Sequence, residues 1–177
     1  MRTGFLLVLI LLQLFWWDLA DKIRMTINWS WARRRVDRNV AHRARRLLAL
    51  ARFTIGLSVR IEIDEERIPD RFMVVANHQS VIEIAAIMAA FQDHSVRFVA
   101  KRELRRWFPA VSRVLRIQRH ALISRHGDFV TAMQEMEHLG RTLRPGEGAV
   151  IFPEGTRSRD GRVQSFHSGA TRRLVSN

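Results

Sequence analysis

An apolar run near the N-terminus, FLLVLILLQLFWW, constrains the fold more than any other feature of the chain. It covers residues 5–17 and contains one polar side chain, Gln13. As a helix it would be about 20 Å long, against about 30 Å of bilayer hydrocarbon. We expect it to dip into one leaflet, to span by thinning the bilayer, or to be part of a signal peptide. Cleavage after Ala20 is disfavoured because Asp18 stands where a small residue is required. A buried core helix is the remaining alternative.

Tryptophans and arginines follow this run in an order typical of a membrane anchor. Trp16, Trp17, Trp29 and Trp31 fall within one short stretch, and indole rings prefer the headgroup zone of a bilayer. The basic run that comes next consists of Arg33, Arg34, Arg35, Arg38, Arg43, Arg45 and Arg46. Only Arg2 precedes the apolar run, so the positive-inside bias predicts a cytoplasmic location for everything after it. A solvated helix face is the alternative for the arginines. Contact with anionic lipid is preferred because the tryptophans adjoin them.

The charge balance predicts a partner with negative charge. Lys+Arg 30 against Asp+Glu 17 gives a formal net charge of +13, and the sequence pI is near 11.7. Nucleic acid, anionic lipid headgroups and an acidic protein all satisfy this charge. The chain contains no cysteine, which excludes disulfides, cysteine-based metal sites and a covalent thioester on the protein.

From about Thr54 onward, short strands alternate with helices. Strands are predicted at residues 55–63, 72–76, 96–99, 120–124 and 149–152, and helices near 80–91, 102–116 and 128–143. This alternation predicts an α/β domain with a mixed or mainly parallel sheet flanked by helices. The predicted division is a helical membrane anchor with a basic amphipathic segment at 1–53 and the α/β domain at 54–177.

Polar residues first gather where the predicted strand at 72–76 ends, in the segment NHQSVIE at residues 77–83. Ligands of open α/β sheets bind outside the carboxyl ends of strands. His78 and Glu83 lie about 140° apart around a continuous helix, so they meet only if His78 precedes the helix. A carboxylate there would hold one imidazole nitrogen protonated and leave the other as a base. The alternative is a helix-capping Asn-His pair beside an ordinary surface glutamate.

A second polar segment, FPEGTRSRDG at residues 152–161, follows the last predicted strand. Backbone N–H groups freed by glycine, a hydroxyl and a guanidinium suit a phosphate. The alternative is an ordinary surface turn. The sequence has neither a GxxxxGK(S/T) loop nor a GxGxxG motif, and its seven histidines form no HExxH. Nucleotide-loop and zinc chemistry are therefore not expected.

Together the segments resemble the glycerolipid acyltransferase family of the 1-acylglycerol-3-phosphate (lysophosphatidate) acyltransferase type, over roughly residues 72–174. Residues 77–83 are similar to its N-H-x-S-x-x-D block, with glutamate in place of aspartate. Residues 101–104 and 122–125 are similar to its K-x-E-L stretch and to its second block, which ends in arginine. Residues 152–158 match its F-P-E-G-T-R-S block without change. The family's fourth block, a strand ending in Val-Pro, should follow, so the domain is expected to be incomplete at its C-terminus.

The resemblance implies transfer of a fatty acyl chain from acyl-coenzyme A or acyl carrier protein to a lysophospholipid hydroxyl. The foremost acceptor would be 1-acylglycerol 3-phosphate, giving phosphatidic acid. It implies that His78 is the general base and that Glu83 orients it, with no covalent intermediate, cofactor or metal. Backbone N–H groups after His78 would stabilise the oxyanion. The implied acceptor-binding residues are Asn77, Arg125, Glu154, Gly155, Thr156 and Arg157. The charge of Glu154 repels phosphate, which favours a role in orienting an arginine or the loop.

The expected partners are membrane phospholipid, the lysophospholipid acceptor and the acyl donor, with the catalytic part on the cytoplasmic face of the cell membrane. A basic face is expected to receive phospholipid or acidic carrier protein, and it comprises Lys101, Arg102, Arg105, Arg106 and Arg113. Nucleic acid is not expected, because no aromatic stacking set accompanies the charge. One alternative is an acyltransferase for glycerol 3-phosphate, another lysophospholipid or an amino-lipid. The other is a non-catalytic, basic, membrane-anchored binding protein.

Overall fold

The computed structural model describes residues 2–107, 110–124, 129–158, 160–167 and 172. The chain divides into two compact units. The first unit comprises Met1–Glu62, Ala85–Gln92 and Leu104–Gln118, and the second comprises Ile63–Ile84, Asp93–Glu103 and Arg119–Asn177. The first unit thus includes two segments from beyond residue 53, and the predicted division at that residue stays a prediction.

Two long helices form most of the first unit. Helix α1 covers Arg2–Ile27 and helix α2 covers Trp29–Ile55. Asn28 separates them, and its side chain caps α2 by accepting a hydrogen bond from the backbone N–H of Trp31 at 3.0 Å. Gly56 ends α2 in the left-handed conformation, with φ at 74°, and its N–H bonds to the last turn of the helix.

Acidic residues of α1 are paired inside this unit. Asp21 is 1% exposed, and its two carboxylate oxygens accept bonds from the Arg43 guanidinium on α2 at 2.6 and 2.8 Å. Asp18 Oδ1 lies 2.8 Å from the guanidinium of Arg113, which belongs to helix α5, Val111–Ile117. Arg113 is therefore largely buried and does not belong to the expected basic face. An apolar cluster beside these pairs consists of Met25, Ala32, Val36 and Ile117.

Large apolar side chains of α1 remain exposed. They are Phe5, Leu7, Val8, Leu11, Leu12, Phe15, Trp16, Leu19, Ile23 and Ile27. The segment Thr3–Ile27 is long and apolar enough to cross a membrane, a test that a signal sequence near an N-terminus also passes. Helix α1 continues beyond the end of the apolar run at residue 17. This is possible because Asp18 and Asp21 form ion pairs with arginines of the same unit. Trp17 departs from the expected interfacial anchor: its ring is buried beneath the Arg43 guanidinium, 5.4 Å from the ring centroid.

The second unit is built on a four-stranded parallel sheet. Its strands are β1 Arg71–Val75, β2 Ser95–Lys101, β3 Ala121–Ile123 and β4 Glu147–Ile151. Their order in the sheet is β1-β4-β2-β3, and each pairing between described strands is parallel. The predicted class, an α/β fold with a mainly parallel sheet, is confirmed.

Helix α6, Phe129–Thr142, supplies one side of the core of this unit. Met136 and Leu139 of this helix pack with strand residues, which are Ala121, Ala149 and Ile151. Gly148 lies opposite Phe72 in the β1–β4 pair, and a Cβ at residue 148 would come within 2.3 Å of the Phe72 ring. Any side chain at residue 148 would therefore force the Phe72 ring to move.

The strand predicted at residues 55–63 is wrong. Ile55 is the last residue of α2, and residues 56–64 form neither helix nor strand. The apolar members of the alternating pattern, Val59, Ile61 and Ile63, are more than one third exposed, so the pattern has no buried face. The remaining helices are α3, Ile82–Ala90, and α4, Leu104–Trp107, so two short helices, α4 and α5, stand where one was predicted at 102–116.

Candidate active site

His78 lies on the connection between β1 and α3, before the helix begins. Glu83 is in the first turn of α3, and its side chain reaches back along the chain. The distance from His78 Nδ1 to Glu83 Oε2 is 3.0 Å, with the two side chains 18% and 27% exposed. The structure thus brings together the two residues that the sequence marked as base and orienting carboxylate. Their catalytic roles stay a prediction.

The Glu83 carboxylate also orders the backbone of this connection. Its Oε1 accepts the N–H of Gln79 at 2.8 Å and the N–H of Ser80 at 2.6 Å. Ser80 in turn caps the helix, because its hydroxyl accepts the N–H of Ile82 at 2.9 Å. Each of these three backbone N–H groups already has an acceptor inside the protein. The predicted oxyanion role of the N–H groups after His78 stays a prediction.

The second polar segment follows β4 as a tight turn. Gly155 has φ at 65° and donates its N–H to the Phe152 carbonyl at 3.0 Å. A residue with a side chain would be strained in this left-handed conformation. The turn brings Glu154 back towards the first segment: Glu154 Oε1 accepts the backbone N–H of His78 at 3.1 Å, and Oε2 accepts that of Gln164 at 3.3 Å.

Two further contacts join the turn to His78. The backbone N–H of Ser158 donates to the His78 carbonyl at 2.7 Å. The Phe152 ring stacks on the imidazole, with centroids 4.3 Å apart and planes inclined by 23°. Sequence reasoning assigned no role to Phe152 or Ser158. The F-P-E-G-T-R-S block, which contains both residues, was the one indication in the sequence that they belong to the site. No local pattern indicates that they contact residue 78.

The predicted acceptor residues separate into two groups. Asn77, Gly155, Thr156 and Arg157 are exposed beside the histidine segment and its neighbouring turn. Glu154 differs from them, because it is 3% exposed and turned inward. Arg125 lies outside the described residues. The phosphate-binding roles of this set stay predictions.

A cavity of about 250 Å³ lies where β2 and β3 end. Arg102 and Ser124, which belong to the two stretches similar to the family's K-x-E-L stretch and second block, line it together with Thr131 and Glu135 of α6. The Arg102 guanidinium also donates to the Leu122 carbonyl at 3.4 Å. Within the described ranges, no three His, Asp or Glu side chains form a group that could hold a metal ion.

A second histidine of the unit, His120, is buried beside the sheet. Its Nδ1 accepts the backbone N–H of Phe98 at 2.7 Å, so this nitrogen is unprotonated. Burial, together with the charge of Arg97, lowers the pKa of His120 to about 3. His120 is therefore a neutral structural residue at physiological pH.

Known proteins resemble this chain in sequence and in fold. A family model described as Acyltransferase matches residues 59–176. The chain is 32% identical over 130 residues to 1-acyl-sn-glycerol-3-phosphate acyltransferase alpha of Mus musculus, covering 71% of this chain and 44% of that protein. It is 34% identical over 111 residues to the lyso-ornithine lipid O-acyltransferase of Rhizobium meliloti, covering 62% and 35%. The chain thus spans less than half the length of these relatives.

A solved structure has the same fold. The crystal structure of the 1-acyl-sn-glycerophosphate (LPA) acyltransferase PlsC from Thermotoga maritima superposes with a TM-score of 0.73 at 27% identity. The match covers 99% of this chain and 68% of that one. The family match over most of the chain, the relatives and the shared fold lead to one conclusion: this chain belongs to the acyltransferase family.

Proposed function

We propose that this protein transfers a fatty acyl group from an acyl thioester to the free hydroxyl of a lysophospholipid, with 1-acylglycerol 3-phosphate as the first acceptor. The donor is acyl-coenzyme A or acyl carrier protein. The observation that carries the proposal is the contact of His78 Nδ1 with Glu83 Oε2 at 3.0 Å, at the carboxyl end of a parallel sheet. It is supported by the names of the relatives from Mus musculus and Thermotoga maritima.

The contact selects one tautomer of the imidazole. With Glu83 ionised, the proton resides on Nδ1, where it donates to the carboxylate, and Nε2 keeps its lone pair. Nε2 then takes the proton of the acceptor hydroxyl as the hydroxyl oxygen bonds to the thioester carbon. When the C–S bond breaks, the imidazolium returns the proton to the departing sulfur. No enzyme nucleophile is needed, in keeping with a chain that has no cysteine.

The exposed cluster beside His78 is suited to the acceptor. Arg157 offers a guanidinium to a phosphate, while Thr156 and Asn77 offer side-chain donors within the same surface. A lyso-ornithine lipid is the second candidate acceptor, favoured by the relative from Rhizobium meliloti. The two acceptors differ in the presence of a phosphate, so they make different demands on Arg157.

The first unit supports a location at a membrane. The apolar side chains of α1 that face outward would be stable in hydrocarbon, and the exposed arginines of α2 would meet anionic headgroups. Arg43 is not one of these arginines, because its guanidinium is paired with Asp21. We place the catalytic unit on the cytoplasmic face, where the acyl donors reside, because the arginines follow the apolar run.

The test is an acyl-transfer assay with purified protein in lipid vesicles. Acyl-coenzyme A and acyl carrier protein serve as donors, and 1-acylglycerol 3-phosphate, glycerol 3-phosphate and lyso-ornithine lipid serve as acceptors. We expect transfer to at least one lysolipid and a loss of about 10²–10⁴-fold in kcat for His78→Ala. His138→Ala is the matched control, because His138 is exposed on α6.

Near-normal turnover of a folded His78→Ala protein would contradict the mechanism. Membrane binding without transfer to any acceptor would favour a non-catalytic binding protein instead.

A further inference from the structure

Glu154 is the second carboxylate at the site, and its environment does not suit a phosphate ligand. The side chain is 3% exposed, whereas the neighbouring Thr156 and Arg157 are open to solvent. Each carboxylate oxygen already accepts a backbone N–H, one from His78 and one from Gln164. A phosphate placed beside it would meet a like charge in a poorly solvated position.

What Glu154 does contact is the peptide of the proposed base. The His78 N–H points to Glu154 Oε1 at 3.1 Å, and the His78 carbonyl accepts the Ser158 N–H at 2.7 Å. Residue 78 is therefore bonded on both sides of its Cα by a single turn, residues 152–158. The same turn covers one face of the imidazole with Phe152.

Glu154 and Glu83 constrain the imidazole of His78 in different ways. Glu83 bonds to the ring and thereby sets its tautomer and rotation. Glu154 bonds to the backbone and thereby sets where the Cα–Cβ bond of His78 starts, which determines the position of Nε2. Because Glu154 is a charged acceptor and shielded from water, its hydrogen bond is stronger than one between neutral groups.

We propose that Glu154 is a positioning residue for His78 and not a ligand of the acceptor headgroup. The inference rests on the proposed function for its kinetic consequence, while the contact itself can be tested without any acyl transfer. The turn after β4 then has two roles. Its exposed residues, Thr156 and Arg157, bind the acceptor, and the buried Glu154 positions His78.

The first experiment measures kinetics of Glu154→Gln. The amide keeps the length of the side chain but turns an NH₂ group towards one of the two backbone donors. Misplacement of a reacting group by about 1 Å costs about 10²-fold, so we expect kcat to fall by about that factor. The KM for the acceptor should stay unchanged. Glu66→Gln is the matched control, because Glu66 is an exposed glutamate of the same unit. A raised acceptor KM with normal kcat, or no change in either, would overturn the proposal.

The second experiment uses the unsubstituted protein and needs neither substrate nor a stable variant. Amide hydrogen exchange, followed by NMR on selectively labelled histidine, should show that the His78 N–H exchanges far more slowly than in an unstructured peptide. An exchange rate equal to that of the unstructured peptide would remove the contact on which the proposal depends. If the wild-type protein transfers no acyl group at all, the proposed function fails, and this measurement still decides whether the His78 N–H is hydrogen-bonded as the structure shows.

Discussion

The two units of the protein differ in where their large apolar side chains lie. Each unit contains a buried ion pair, Asp21–Arg43 in the first and Arg97–Glu147 in the second. In the first unit, however, leucine, phenylalanine and isoleucine side chains of α1 remain exposed. In the second unit, Ala149, Val150 and Ile151 are fully buried in the sheet, and polar groups gather after the strands. The second unit has the pattern of a protein surrounded by water. The first has the pattern expected where the surroundings of α1 are themselves apolar.

Loss of stability and loss of function should therefore follow from different carboxylates of the protein. Asp21 in the first unit and Glu147 in the second pair with buried arginines, so their loss should act on folding. Glu83, in the second unit, bonds to an imidazole and to backbone N–H groups of a loop, so its loss should act on catalysis.

Glu83 gives the largest expected effect. Glu83→Gln removes the charge that selects the Nδ1–H tautomer, and an analogous change in triad proteases costs about 10⁴ in turnover. We expect a large loss of kcat with a normal circular dichroism spectrum. Glu83→Asp should retain more activity, giving the order wild type, Asp, Gln. Equal kcat for Gln and wild type would mean that the histidine–carboxylate pair has no part in the reaction.

Asp21→Asn is the counterpart in the first unit. The change leaves Arg43 buried beside a neutral amide, and breaking a buried pair in this way costs about 3–5 kcal/mol of unfolding free energy. The control is Glu62→Gln, because the Arg60–Glu62 pair of the same unit is largely exposed and should contribute about 0–1 kcal/mol. Denaturant unfolding of both variants in the same detergent measures the difference. A similar loss in both would show that burial of the Asp21 pair has no energetic consequence.

Arg157→Ala should act on substrate binding alone. A charge-assisted contact to phosphate contributes about 1.5–3 kcal/mol, so we expect the KM for 1-acylglycerol 3-phosphate to rise about 10- to 100-fold. The KM for the acyl donor should not change. A rise in the donor KM instead would assign Arg157 to the thioester.

His120 predicts a smaller, graded effect of pH on the second unit. Its pKa is about 3 in the folded chain against 6.5 for the ordinary group, so between these values the unfolded chain binds the extra proton. The free energy of unfolding is therefore unaffected by His120 above about pH 6.5. Below that pH it decreases, by at most about 1.4 kcal/mol per pH unit. Unfolding curves from pH 7 to 4 should show this slope, and His120→Gln should reduce it. The exposed His138→Gln should keep it, and an unchanged slope in His120→Gln would assign the pH dependence to other groups.

The sequence could predict what depends on neighbours along the chain. The predicted strands at 72–76 and 149–152 agree with β1 and β4 within two residues at each end, because short runs of valine, isoleucine and phenylalanine favour strands. The contact of His78 with Glu83 was also accessible, since only a histidine placed before the helix allows it.

What the sequence could not predict depends on distant partners. The bond between Glu154 and the His78 N–H joins residues 76 positions apart, and no local pattern encodes it. Asp21 and Arg43 are 22 positions apart. Because this pair is not local either, the sequence did not predict that α1 continues beyond the apolar run. The wrong strand prediction at residues 55–63 has the opposite cause. The apolar residues alternate clearly along the sequence, but no strand among the described residues pairs with this segment.

The parallel pairing of β1 with β4 also determines when the site can form during synthesis. His78 leaves the ribosome long before Glu154, and at about 5–20 residues per second the delay amounts to several seconds or more. Throughout that interval β1 has no β4 beside it, and the non-local pairing that completes the sheet is intrinsically slow. The nascent chain therefore exposes the apolar strand Phe72–Val75 to aggregation, and chaperone dependence should end only once the turn after β4 has emerged.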